Sequence, residues 1–323
     1  MVGEPPRRRC GALPPGVHRG ADMASMTERS GPAVGVGAIA IGADRGRQRR
    51  RAVRNVVPHL VLMVIGAVFV LPFIWMIGTS LKTNQQVATY PPEWIPNPFR
   101  WRNYADALDS VPLLHYAWNT TRICLVTIVG AVLSNSIIAY GFSRLQWRGR
   151  DAVFVVVLAS LMLPYQATMI PLFLIYARLG WTNTYLPLTV PSFFGNAFFI
   201  FLLRQFFLRI PRDYTDAARL EGASDLRILF GIILPLARPA LITVALFQFL
   251  NSWNDFLGPL LYLNDQSKFT LPLALANMQS NYGLSDFGQI MAAATMIVAP
   301  VLIAFLVAQR YFIQGIAGAG IKG

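Results

Sequence analysis

Six long apolar stretches constrain the fold of this chain more than any other feature of its sequence. They lie between polar loops, near residues 56–79, 118–142, 152–174, 186–206, 238–262 and 288–310. A transmembrane helix needs about 20 predominantly apolar residues to cross the hydrocarbon layer of a bilayer. Each stretch meets that length, so the sequence predicts an all-α polytopic membrane protein with about six transmembrane helices.

The composition agrees with a membrane protein. Apolar residues make up 54% of the chain and charged residues only 13%, whereas soluble domains carry about 25% charged residues. Residues 1–52 are different, because they are rich in Gly, Pro, Ala and Arg and have no sustained apolar period. We expect a disordered basic tail there and a transmembrane domain over 53–323. Met23 and Met26 leave open an internal translation start.

The distribution of basic residues predicts the topology. If the N-terminus is inside, 22 of the 28 Lys and Arg residues lie on the inner side and six on the outer side. The positive-inside rule then places both termini in the cytoplasm of a multi-pass cell (plasma or inner) membrane protein. Eleven arginines and four acids in residues 1–54 supply +7 of the net charge of +13. The charge therefore indicates topology rather than nucleic-acid binding.

The loop Arg209–Pro235 packs ionisable residues more densely than any other loop between the apolar stretches. Asp213 is expected to cap a short helix, because its carboxylate can accept from free N–H groups of the first turn. Asp216 adds negative charge where the helix dipole favours it. Gly222 supplies the backbone freedom that ends a helix, and Ser224 can cap a second one.

A helix of two turns is marginal alone in water, so this one requires packing or a partner. Ala217 and Ala218 have almost no side chain and would let another surface approach closely. Glu221 falls at the C-terminal end, where the dipole disfavours an anion. We therefore expect Glu221 to face a cation, either Arg219, Arg227 or a basic residue of a partner.

This loop resembles the cytoplasmic signature loop of the permease subunits of ATP-binding-cassette (ABC) importers. Their pattern is Glu-Ala-Ala, three residues, Gly, then about nine residues to Ile-x-Leu-Pro. Asp replaces the opening Glu here and keeps its charge. The matching residues are Asp216, Ala217, Ala218, Gly222, Ile232 or Ile233, Leu234 and Pro235.

The resemblance extends over about residues 55–323. Segments 82–108, 160–173 and 251–263 are similar to carbohydrate-type permeases, and 309–323 is similar to the C-terminal tail of the maltose-type permease. It implies the type I ABC importer permease fold and the import of sugars or oligosaccharides. The implied partners are a second permease in a heterodimer, two ABC ATPase subunits and an extracytoplasmic solute-binding protein. The implied ATPase-coupling residues are Asp213, Asp216, Ala217, Ala218, Glu221, Gly222 and Pro235.

Polar residues also cluster in the outer half of the fifth apolar stretch. Amides and an aromatic ring suit a polyhydroxylated ligand, because hydroxyls pair with amides and rings pack on apolar sugar faces. Alternatively, these residues join helices to one another, or Asp255 already lies at the membrane interface. The candidate substrate-pathway residues are Gln248, Asn251, Trp253, Asn254 and Asp255.

Nothing in the sequence predicts catalysis, a metal site or a bound cofactor. Cys10 and Cys124 form no ligand pattern, and no motif of a hydrolase or dehydrogenase appears. The C-terminal tail lacks the P-loop order, because Ile321 separates Lys322 from the preceding Gly. ATP is thus expected on partner subunits. The alternatives are a non-sugar solute, an ion-coupled secondary transporter, which would carry ionisable residues at mid-membrane, or a membrane-embedded enzyme.

Overall fold

The computed structural model describes residues 40–282 and 286–317, and these residues form α-helices and short turns without a β-strand. The helices are α1 (Ala40–Ser80), α2 (Asn84–Ala88), α3 (Arg102–Ser110), α4 (Leu113–Ser143), α5 (Arg150–Ala159), α6 (Tyr165–Arg178), α7 (Leu186–Thr189), α8 (Ala197–Arg209), α9 (Asp213–Leu220), α10 (Asp225–Ile228), α11 (Leu234–Leu236), α12 (Arg238–Trp253), α13 (Leu257–Tyr262), α14 (Leu271–Tyr282) and α15 (Phe287–Ala317). The chain divides into two compact units, Met1–Ile65 and Gly66–Gly323, and α2–α15 belong to the second.

Four helical segments in the described residues are each long and apolar enough to cross a membrane. Two further pairs are bent, by 98° between Arg150–Met162 and Tyr165–Arg178, and by 83° between Asp225–Leu236 and Arg238–Trp253. If each bent pair is one span, the total is six, as the sequence predicts. The four unbroken segments are Pro58–Ser80, Leu113–Ser143, Leu186–Arg209 and Phe287–Gln309.

Two predicted spans are interrupted. The third breaks at Pro164, whose extended backbone and missing N–H stop the helix before α6 begins. The fifth was predicted over 238–262, but α12 ends at Trp253 and α13 begins only at Leu257. After the break, α6 ends at Arg178, between the third and fourth predicted spans.

The two termini extend beyond the described residues. α1 begins at Ala40, so residues 40–52 are helical, in contrast to the disordered tail that the sequence predicts. The prediction for residues 1–39 lies outside the described residues. At the other end, α15 continues to Ala317. Residues 318–323, the last part of the segment that is similar to the maltose-type tail, also lie outside the described residues.

α4 is the central helix of the second unit and packs against α8 and α12. Its close packing depends on small residues, as helix contacts in membranes generally do. A Cβ added at Gly130 would lie 2.5 Å from Ser192 Oγ and 2.8 Å from the Phe193 ring. Ala131 and Ala139 are likewise buried in a cluster with Phe199 and Leu203 of α8.

A second apolar cluster joins α12 and α15 to α3 and α14. Trp253 is buried there, and its indole N–H donates to the carbonyl of Ile297 at 3.0 Å. Met278, Ala292 and Ala293 pack in the same cluster. The far end of α12 is thus fixed to α15.

The segment between α1 and α4 is anchored by a buried amide. The Asn103 side chain, 1% exposed, donates to the carbonyls of Ser80 and Lys82, each at 2.8 Å. Gly288 of α15 leaves the space for it, because an added Cβ would lie 2.6 Å from Asn103 Nδ2. This amide therefore joins α1, α3 and α15.

Substitution Asn103→Ala should destabilise the protein by about 2 kcal/mol, because it leaves buried carbonyls without donors. The measurement is the thermal unfolding of the detergent-solubilised protein. Asn264→Ala is the matched control, since Asn264 is exposed and makes no side-chain hydrogen bond within the described chain. An equal Tm for the two variants would contradict the anchoring role.

Candidate functional site

The N-terminal end of α9 differs from the prediction. Arg212 occupies the N-cap position without a side-chain cap, and Asp213 is the first helical residue. The Thr215 hydroxyl instead donates to the carbonyl of Arg212 at 2.6 Å. The prediction that Asp213 caps the helix is therefore wrong by one position. Asp213 and Asp216 nevertheless lie in the first turn, where the helix dipole favours carboxylates.

The C-terminal end of α9 agrees with the prediction. Gly222 adopts φ +81°, a left-handed conformation that favours glycine. The backbone N–H of Gly222 donates to the carbonyl oxygen of Arg219 at 3.0 Å, and the N–H of Ala223 donates to the carbonyl oxygen of Ala218 at 2.9 Å. This is the Schellman arrangement of a helix end. Gly222 therefore ends α9 by its backbone, and an added Cβ would meet open space.

The second half of the loop leads into α12. The Ser224 hydroxyl accepts from the N–H of Arg227 at 3.4 Å and caps α10, as predicted. A π-helical turn, Leu229–Ile233, follows, and Pro235 lies in α11 just before the 83° bend. π-helical turns are often found at functional positions. The loop thus joins α12 through an irregular and sharply bent connection.

One face of α9 is packed on the protein itself. Thr215 and Ala218 are buried, and Ala218 belongs to the cluster that contains Tyr140 of α4 and Phe207 of α8. The prediction that Ala218 is open to another surface is therefore wrong. Its small side chain instead lets α9 approach its own core. Ala217, the other predicted alanine, is exposed.

The opposite face of α9 is exposed and partly apolar. Tyr214, Ala217, Leu220 and Glu221 follow the spacing of one helix face and are all exposed. Leu220 is 91% exposed, and Leu226 of α10 is 63% exposed. We call these five residues the docking face. Exposed apolar side chains grouped in this way mark a contact surface.

Three charged residues and a tyrosine tie the loop to α4. The Arg219 guanidinium lies 2.9 Å from Asp225 Oδ1 and 3.8 Å from Asp216 Oδ1. The Tyr140 hydroxyl donates to the same oxygen of Asp225 at 3.0 Å. The hydrogen bond to Asp225 raises the pKa of Arg219. Exposed ion pairs are worth little alone, so their effect is to position the loop.

Glu221 is not part of this network. Arg219 pairs with Asp216 and Asp225, and in the described part of the chain no cation lies within ion-pair distance of Glu221. The prediction of an Arg219 or Arg227 partner is therefore wrong. A basic residue on another subunit stays a prediction for Glu221.

The sequence interpretation did not identify Arg144 or Tyr140 as site residues. Arg144 is 8% exposed, and its guanidinium donates to the carbonyls of Phe207 and Ile210 at the end of α8. A cation at a helix C-terminus is favoured by the dipole. Burial lowers the pKa of Arg144. An Arg that follows an apolar stretch is interpreted from sequence as a topology signal. The sequence therefore does not predict that Arg144 packs against the end of α8.

Part of the polar cluster on α12 lines a cavity of about 730 Å³. It brings Asn251, Asn254 and Asp255 together with aromatic residues of the preceding helices. Such a cavity is large enough for a small-molecule site. Its lining residues are Tyr165, Leu172, Tyr176, Pro187, Leu188, Pro191, Asn251, Asn254, Asp255, Phe256, Leu257, Gly258 and Tyr262.

Trp253 and Gln248 do not line this cavity. Trp253 is buried against α15, so its proposed contact with a solute is wrong. The Gln248 amide donates to Ser252 Oγ at 2.9 Å, and Ser252 lies 2.8 Å from the Thr127 hydroxyl of α4. Trp253 therefore joins α12 to α15, and Ser252, which Gln248 contacts within α12, joins α12 to α4. This agrees with the alternative prediction that polar residues of this stretch join helices to one another.

The residues that do line the cavity offer hydrogen-bonding groups beside aromatic rings. Asn254 Nδ2 donates to the carbonyl of Leu250 at 2.8 Å, whereas the Asn251 amide makes no hydrogen bond within the described residues. The Tyr176 and Tyr262 rings meet edge to face with centroids 5.5 Å apart. Amide groups beside ring faces suit polyhydroxylated ligands. Across the described residues, no cluster of His, Cys, Asp or Glu could hold a metal.

Substitution Tyr140→Phe should loosen α9 and α10, because it removes a hydrogen bond to Asp225 worth about 1 kcal/mol. We expect amide hydrogen exchange in residues 213–228 to become about fivefold faster, with α4 unchanged. Tyr90→Phe is the control, because Tyr90 is 90% exposed and distant in sequence. Unchanged exchange in Tyr140→Phe would show that the loop is held by its apolar contacts alone.

Comparison with known proteins covers both parts of the site. The family described as binding-protein-dependent transport system inner membrane component matches residues 129–318. This range includes the loop and every lining residue of the cavity.

Similar proteins match almost their whole length. The arabinooligosaccharides transport system permease protein AraQ of Bacillus subtilis is 31% identical over 82% of this chain and 94% of its own. The trehalose/maltose transport system permease protein MalG of Thermococcus litoralis is 32% identical over 84% and 99%.

A solved structure has the same fold. The crystal structure of a bacterial ABC transporter involved in the import of the acidic polysaccharide alginate contains a chain that superimposes with a TM-score of 0.71, at 25% identity. The match covers 82% of this chain and 98% of that one. With a family match over more than half of its residues, this chain belongs to the inner membrane components of binding-protein-dependent transport systems, the multi-pass permease subunits of ABC importers.

Proposed function

We propose that this chain is the permease subunit of an ATP-driven importer of sugars or oligosaccharides, and that α9 couples it to the ATPase subunits. The observation that carries the proposal is the two-sided arrangement of α9. On one side Thr215 and Ala218 are buried, and Ala218 lies in the cluster that contains Tyr140 of α4 and Phe207 of α8, whereas the docking face is exposed. A partner that moves α9 therefore moves the helices beneath it.

The docking face has the chemistry of a protein contact. Leu220, Leu226 and Tyr214 supply apolar surface at its centre, with Glu221 at its edge. Apolar and aromatic anchors with a polar rim are typical of binding energy in interfaces. The proposed partners are two ABC ATPase subunits that bind at the cytoplasmic side, where the basic residues also place both termini. ATP is then bound and hydrolysed on those subunits, and this chain is not itself an enzyme.

A sugar is the substrate class that the cavity and the relatives favour together. Relatives are named as permeases for arabinooligosaccharides and for trehalose and maltose. The cavity offers the Asn251 and Asn254 amides beside the rings of Tyr165 and Tyr176. Sugars are delivered by an extracytoplasmic solute-binding protein, and the pathway is completed by a second permease, which we propose is a different chain.

The coupling role is tested by Leu220→Asp. Leu220 is 91% exposed, so the change should spare folding but place an unpaired charge in the contact with the ATPase. We expect the ATPase to be lost when the variant is copurified from membranes, and the Tm of the permease to stay the same. Gln146→Asp, an exposed position outside the loop, adds the same charge and should retain the ATPase. Equal recovery of the ATPase from both variants would overturn the coupling role.

The transport role is tested in proteoliposomes that hold the full importer with its binding protein. The probes are radiolabelled arabinotriose, lactose, trehalose and glycine betaine. We expect at least one saccharide to accumulate, and only when ATP is supplied on the side of the membrane that carries the ATPase subunits. Accumulation of glycine betaine alone would contradict sugar import and would show that the importer carries a non-sugar solute. Uptake without ATP would support an ion-coupled transporter instead.

A further inference from the structure

The cavity beside α12 is lined by a single acidic side chain. Its thirteen lining residues all belong to the described part of the chain. Asp255 is the one acidic residue among them, and no Lys, Arg or His is present. No Lys, Arg or His of the described residues forms an ion pair with Asp255. The carboxylate therefore has no neutralising partner within this cavity.

The carboxylate is held in a fixed position. Asp255 Oδ1 accepts from the N–H of Gly258 at 3.0 Å. Its second oxygen fits against Gly258, where an added Cβ would approach within 2.4 Å of Oδ2 and 2.8 Å of Leu188. Glycine is thus required at 258 by the space that the carboxylate and Leu188 occupy. A fixed charge cannot move aside to reduce repulsion of a ligand.

We propose that Asp255 makes this cavity select against anionic saccharides, so that the transported solute carries no carboxylate, phosphate or sulfate. The inference rests on the proposed function of sugar import and adds the charge class of the sugar. Beside apolar side chains such as Leu172, Leu188 and Leu257, a fixed charge repels a like charge more strongly than it does in water. Neutral hydroxyls, in contrast, can donate to a carboxylate and gain a charge-assisted hydrogen bond.

The shared fold leaves this selectivity open. The chain with TM-score 0.71 comes from a transporter whose described cargo, alginate, is an acidic polysaccharide. Because the fold does not fix the charge class, we expect individual side chains of the cavity to decide it. Asp255 is the side chain in this cavity that would repel such a cargo.

A structural role of Asp255 is separable from the role of its charge. Its carboxylate accepts from the backbone at the start of α13, and asparagine can accept the same hydrogen bond. Asp255→Asn therefore keeps the acceptor and removes the charge. Any change in charge selectivity in this variant reports the electrostatic role.

The first test measures the charge of the cavity without any substrate. The full importer in lipid nanodiscs carries Asn251→Cys in a background of Cys10→Ser and Cys124→Ala. We expect the new thiol to react faster with a cationic methanethiosulfonate reagent than with an anionic one. Adding Asp255→Asn should lower that ratio of rates about tenfold. A cysteine at Leu114, outside the cavity, should show no change. An unchanged ratio at position 251 would overturn the inference.

The second test measures selectivity in transport. Proteoliposomes with the full importer are given lactose or lactose whose galactosyl C6 is oxidised to a carboxylate. We expect the wild type to accumulate lactose in preference, and Asp255→Asn to raise the ratio of carboxylate to lactose uptake about tenfold. Both proteins use the same binding protein, so its own selectivity cancels in the comparison.

The outcomes separate this inference from the proposed function. Equal uptake of both sugars by the wild type, or an unchanged ratio in Asp255→Asn, would overturn the charge selectivity. If neither sugar nor any other saccharide is accumulated with ATP, sugar import itself is contradicted. The reagent rates at position 251 still decide whether the cavity carries the fixed charge.

Discussion

The contact of Ala218 with the ends of α4 and α8 is the interaction on which the proposed mechanism depends. Ala218 is 8% exposed and packs in one cluster with Tyr140 and Phe207. A methyl side chain lets the backbone of α9 approach closely enough to exclude space between the loop and the spans. Because packed interiors are dense and resist compression, we expect a displacement of α9 to be transmitted to α4 rather than absorbed.

α4 in turn connects the loop to the cavity. It packs along α8 and α12, and a polar contact joins Thr127 to Ser252 at 2.8 Å. The cavity lies one turn further, where α12 ends and Asp255 begins the connection to α13. A partner that binds the docking face differently in two states would bias the cavity between two states through these contacts.

The sequence predicts the fold well where a local rule decides, and poorly where tertiary contacts decide. The number of spans follows from apolar length, and the end of α9 at Gly222 follows from backbone freedom. Both are confirmed. Span lengths alone do not show that α12 ends at Trp253, because nearly every residue around that break is compatible with a helix.

The site was predictable only in part for the same reason. A Trp among amides suits a sugar and a helix contact equally well, and only the packing against Ile297 decides between them for Trp253. Which of two adjacent alanines faces the protein depends on the angle at which α9 lies on the core. Arg144 carries no motif, and its bonds to α8 join positions more than sixty residues apart.

The most direct test of the account is a distance measurement between α9 and the far end of α4. Spin labels at Arg212, the exposed N-cap residue of α9 outside the docking face, and at Leu114, in a background without native cysteines, would be measured by pulsed electron paramagnetic resonance in the full importer. If the loop and α4 move as one body, the distance distribution is the same without nucleotide and in the ATP-bound state. A shift of several ångströms between the two states would show that α9 moves independently, and would contradict transmission through Ala218.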